Sequence, residues 1–77
     1  MKDVNSILKT ALWETKNLQT DEEFLVKDLF KGYEWNRIPF KDRLLLGTLF
    51  LNAVTSEPLG VEAIKKTSSN QQKYRKK

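Results

Sequence analysis

Apolar residues at Val4, Ile7, Leu8, Ala11, Leu12 and Leu18 fall on one face of a helix and predict an amphipathic segment over 4–19. Asp3 suits the N-cap, because its carboxylate can accept from an early backbone N–H. Trp13 sits about 100° from Leu12 and reads as a flank half-covering the core. After a polar turn, Phe24-Leu25-Val26 is apolar and partly β-branched, which predicts a short strand over 24–26. Val26, Leu29 and Phe30 then follow i, i+3, i+4 spacing, which predicts a short helix over 27–31 ended by a left-handed Gly32. Over so few residues the pattern does not separate helix from strand.

Tyr33 to Ile38 reads as a connector, and Pro39 suits the first turn of the next helix, over 39–55. That helix is apolar nearly all round, with one polar strip at Lys41, Thr48, Asn52 and Thr55, and so reads as the central element of the core. Gly47 in its interior costs roughly 1 kcal/mol relative to Ala, a cost we attribute to close approach of another backbone. Pro58 and Gly60 break the pattern. Val61–Thr67 and Gln71–Arg75 are candidate strands of a basic hairpin over 61–75, with 76–77 as a tail. A turn centred on Ser69-Asn70 would pair Lys66 with Lys73 and Lys65 with Tyr74, setting like charges opposite one another. Helix, strand, helix, helix, hairpin is an α+β, mostly α order, that of a winged helix-turn-helix domain. A helical domain with a flexible basic tail would share everything up to Pro58.

Length and composition narrow the chemistry. Seventy-seven residues make one small domain, without room for two lobes and a cleft. With no cysteine and no histidine, there is no thiol nucleophile, no disulfide, and neither the commonest general base nor the commonest zinc ligand. Asp21, Glu22 and Glu23 cluster without a metal-ligand pattern and read as a solvated turn. A non-catalytic protein without cofactor or metal is the expectation. No apolar h-region follows Lys2, and Leu44 to Val54 is too short for a span of about 20 residues, so a cytoplasmic location off the membrane is expected.

The net charge of +4 is unevenly spread. Residues 1–64 hold ten acids and eight bases, whereas the last thirteen hold six bases and no acid. A tail of one sign points to a polyanionic partner, or simply aids solubility.

Phe24-Leu25-Val26-Lys27-Asp28-Leu29-Phe30, Tyr33-Glu34-Trp35-Asn36, Arg43, Leu46-Gly47, Phe50, Val54 and the ending Lys66 to Tyr74 resemble a family of short proteins with a domain of unknown function. Its members belong to low-GC Gram-positive bacteria and their phages and mobile elements. The resemblance covers roughly residues 20 to 75. It implies a phage or mobile-element setting and no particular activity.

In a winged domain the long helix enters the major groove and the hairpin touches the flanking backbone. Asn52 is then placed for adenine, Lys41 for guanine or phosphate, and Thr48 for a smaller contact. Lys65, Lys66, Lys73 and Arg75 would neutralise phosphates, with Gln71 and Gln72 adding hydrogen bonds. Six phosphate contacts would give a log–log salt slope near −5. The same polar strip also reads as the solvated edge of a core helix. Tyr33 and Trp35 could stack on unpaired bases or plug the core, and Arg43 could pair with Glu34 or Asp28 at the helix start. Duplex DNA is the favoured partner. The alternative is a small inhibitor or adaptor docking on a host protein, and a homodimer through Leu45 or Leu51 fits either reading.

Overall fold

The computed structural model describes residues 3–77. Helix α1 (Val4–Glu14) continues into a 3-10 turn at Thr15–Asn17. Strand β1 (Glu23–Phe24) and a 3-10 turn at Val26–Leu29 lead to α2 (Gly32–Arg37) and α3 (Phe40–Ser56), and β2 (Val61–Lys66) and β3 (Gln72–Lys76) close the chain. The result is a small α+β fold with three helices and an antiparallel sheet in the order β1-β3-β2.

The Asp3 carboxylate accepts from the Ser6 N–H at 2.9 Å, and that bond holds the carboxyl below its usual pKa. The regular helix stops at Glu14, short of the expected 19, because the chain tightens there and the Thr15 hydroxyl donates to the Leu12 carbonyl at 2.6 Å. Ile7, Ala11 and Thr15 form the buried i, i+4, i+8 line. Trp13 does not cover the core: it is exposed, with the Lys16 ammonium 4.0 Å from its ring centroid.

The expected helix over 27–31 is only a 3-10 turn, and the expected connector over 33–38 is itself a helix. One device starts both elements. Asp28 accepts from the Leu25 N–H at 2.9 Å, and Glu34 accepts from the Lys31 N–H at 3.1 Å, each acid reaching back three residues to satisfy an early donor. Gly32 therefore opens α2; it does not terminate a helix. Arg43 makes no pair with Glu34 or Asp28. Its guanidinium donates to the carbonyls of Ile38 at 2.9 Å and Asn36 at 3.2 Å, fixing the α2–α3 turn.

Three aromatics join α3 to the sheet. Phe50 meets Tyr74 edge-on at 4.9 Å and Phe24 at 6.4 Å, and Phe24 stacks on Tyr74 at 5.7 Å. Such pairs add to the area they bury. α3 is far less enclosed than its composition suggests. Only Leu46, Phe50 and Val54 are buried, while Phe40, Leu44 and Leu45 are 69%, 60% and 44% exposed. The neighbouring elements cover one face of this helix and leave the opposite apolar residues in solvent. Beyond its own stretch of helix backbone, Gly47 has no atom within 4 Å of where a Cβ would stand, so no backbone of another element approaches it.

The hairpin register differs from the expected one twice. The Thr67 N–H donates to the Gln71 carbonyl at 2.8 Å, and the Asn70 N–H donates to the Thr67 carbonyl at 2.9 Å. These bonds enclose a three-residue loop with Asn70 at φ +65°, a preferred hairpin geometry one residue longer than the two-residue turn. A bulge between Ala63 and Lys66 then shifts the pairing again. Lys66 consequently faces Gln72 and Ala63 faces Tyr74, and the Lys66–Lys73 juxtaposition does not arise. At the far end the Lys77 N–H donates to the carbonyl of Gly60, whose φ of +77° suits glycine.

Candidate binding face

Cross-strand pairing places Glu62, Arg75 and Glu23 in one row on the outer face of the sheet. The Arg75 guanidinium donates to the Glu62 carboxylate through both Nε and Nη2. That carboxylate holds Arg75 charged to higher pH than usual. Lys73, one diagonal away, lies 3.0 Å from the Glu23 carboxylate, whose pKa it lowers. Two cations expected to neutralise phosphates are therefore neutralised by the protein's own acids. Gln72 is also engaged: its side-chain amide donates to the Ile64 carbonyl at the bulge and to the Lys73 carbonyl at 3.1 Å.

Among the described residues, Lys41, Asn52, Lys65, Lys66 and Gln71 remain exposed, with no ion pair or side-chain hydrogen bond. Lys41, Thr48 and Asn52 share the outward face of α3. The Thr48 hydroxyl sits 3.4 Å from the Leu44 carbonyl, and the Thr55 hydroxyl donates to the Leu51 carbonyl at 2.8 Å.

A groove of about 500 Å³ runs between α3 and the hairpin loop. Phe40, Leu44, Gly47, Thr48 and Leu51 form its α3 wall; Lys66, Asn70, Gln71 and Gln72 form the opposite wall. Leu25, Val26, Trp35 and the edge of Tyr74 complete it. Its charged lining residues are Lys27, Arg43 and Lys66, with no acid among the lining. The groove thus gathers four of the expected residues, Thr48, Lys66, Gln71 and Gln72. Lys73 and Arg75 lie on the sheet's outer face, and Lys41, Asn52 and Lys65 lie outside the groove.

Of the apolar wall, sequence pattern offered Leu51 as a contact residue but missed Phe40 and Leu44, which are indistinguishable by type from the buried Leu46 and Phe50. A signal was present in Gly47, which removes a side chain from the middle of that wall. Trp35 is half-buried against Phe30 at 5.9 Å, under the Arg43 guanidinium at 5.6 Å. Tyr33 is exposed beside Arg37 and Lys31. Among the described residues no group of three or more acids could hold a metal ion, and no helix is long and apolar enough to cross a membrane.

These features define a small α+β domain with an open, cation-rimmed apolar groove on one face. The sequence model described as a domain of unknown function (DUF1413) matches residues 9–76, and the chain belongs to that family. No curated protein and no solved structure matches it.

Proposed function

We propose that this is a non-catalytic binding domain that docks on a partner protein through the α3–hairpin face. The observation that carries this reading is the exposure of Phe40 and Leu44 on one wall of the groove. Exposed large apolar residues beside a concavity are the usual anchors of a protein interface, buried only when the partner arrives. A phage or mobile-element setting, implied by the resemblance, would make the partner a host protein and the chain an inhibitor or adaptor.

A second reading, duplex DNA binding in the manner of a winged helix-turn-helix, is favoured by the element order, the β1-β3-β2 sheet and a hairpin beside α3. Against it, the outward face of α3 offers one cation, Lys41, amid exposed leucines, and Lys73 and Arg75 are already paired. Fluorescence anisotropy of a mixed-sequence duplex at several salt concentrations separates the two. Protein docking predicts weak retention with a log–log slope no steeper than about −3, the value for three phosphate contacts at about 0.9 each. Tight retention with a slope near −5 would favour the DNA reader instead.

A further inference from the structure

The charge and shape of the groove specify more than the presence of a partner. We infer that it accepts an acidic, apolar peptide segment of that partner, an inference that rests on the protein-docking reading. Leu44, Leu51 and Phe40 supply an apolar wall, while Lys27, Arg43 and Lys66 supply positive charge uncompensated by any lining acid. An apolar segment alone would leave those cations without counter-charge, and a basic one would be repelled. Gly47 sets the depth. A Cβ there would meet no atom beyond its own stretch of helix backbone, and a longer side chain would project into the groove between Leu44 and Leu51. The glycine weakens its own helix while the space where its Cβ would stand is empty, so that space is open for something else to fill.

The chain's own acidic run is not free to serve as that segment in a second copy. The Asp21 N–H donates to the Lys76 carbonyl at 2.7 Å, and the Lys76 N–H donates to the Glu22 carbonyl at 2.8 Å, tying the run to the sheet. Single-stranded nucleic acid fits less well, because Trp35 is already covered by Phe30 and Arg43.

The test is selection of random displayed peptides on the immobilised full chain, followed by anisotropy with the selected peptides. Two variants accompany it: Gly47→Leu, which fills the groove, and Lys66→Glu, which reverses a charge on an exposed side chain. Retained peptides should combine Asp or Glu with Leu, Phe or Ile. Each variant should weaken them at least about tenfold, with no fall in thermal midpoint. Neutral or basic peptides, no enrichment, binding by either variant as tight as that of the unsubstituted chain, or a mixed-sequence single-stranded oligonucleotide binding more tightly than any peptide would each overturn the inference. So would a dimer in sedimentation equilibrium that Gly47→Leu dissolves. If a partner protein cross-linked at position 44 carries no acidic apolar segment, this inference fails while the docking reading stands; cross-links to nucleic acid remove both.

Discussion

Arg75 stands directly opposite Glu62 across the β2–β3 ladder, and its guanidinium is committed to that carboxylate. The pair is partly exposed and screened by solvent, so its coupling should be small. A double-mutant cycle of Arg75→Gln and Glu62→Gln, read by urea unfolding, should return a small coupling that shrinks at high salt. The companion expectation concerns polyanions. Lys73→Gln and Arg75→Gln should lower duplex affinity less than Lys66→Gln, and Glu23→Gln should raise it by releasing Lys73. Equal losses at Lys66, Lys73 and Arg75 would mean that the outer face is a phosphate site after all.

Leu46 and Leu44 differ by two positions and belong to opposite environments. Leu46 is fully buried and Leu44 is 60% exposed. Leu46→Ala should destabilise by about 2–5 kcal/mol, whereas Leu44→Ala should stay within about 0.5 kcal/mol. Chemical denaturation of the two variants checks this, and similar losses would mean the faces of α3 are misassigned.

Gly47→Ala should stabilise. The site is helical, its φ is not positive, and nothing beyond its own stretch of helix backbone stands within 4 Å of the added Cβ. The gain should approach 1 kcal/mol, a rise in thermal midpoint of about 4–8 °C for a domain of this size. A fall would show that this stretch of α3 is packed in solution.

Burial pushes the Tyr74 phenol from its ordinary 10.0 up to about 12. The raised folded value means that the folded state keeps its proton while the unfolded chain loses it. The stability held below about pH 10 should therefore drain away as pH rises toward about 12. Complete loss amounts to roughly 2–3 kcal/mol. Urea unfolding at about pH 9 and about pH 12 should show the decline, and Tyr74→Phe should flatten it. Glu23 works in the opposite direction: its lowered pKa supports the fold above the ordinary carboxylate range, and that support fades as acid protonates it.

How far the sequence could be read follows from where its signals were local. The Asp3 cap, the stripe through Ile7 and Ala11, and the turn chemistry at Asn70 all act within a few residues, and each has its expected counterpart in the fold. α2 was hidden because its start depends on Glu34 reaching back to Lys31, a short-range acid signal masked by two conspicuous aromatics. The register of β2 and β3 depended on loop length and on a bulge closed by Gln72, neither of which alternation in so basic a stretch can reveal. Which leucines of α3 are buried was only partly legible: Leu45, offered as a dimer contact, is exposed, but nothing in residue type sets Phe40 and Leu44 apart from the core. Apolar type does not distinguish a core from a docking wall, and α3 is covered by neighbours on one side only. The expected site residues Thr48, Lys66, Gln71 and Gln72 meet at the groove, but the neutralisation of Lys73 and Arg75 depended on acids from β1 and β2.

Photo-cross-linking in living cells tests the binding face most directly. A photoreactive residue at Leu44, on the groove, is compared with one at Lys9, on the exposed side of α1. Position 44 should give a discrete protein adduct, absent from position 9 and abolished when Gly47→Leu is added. Adducts from both positions alike, or adducts to nucleic acid alone, would contradict docking through this face.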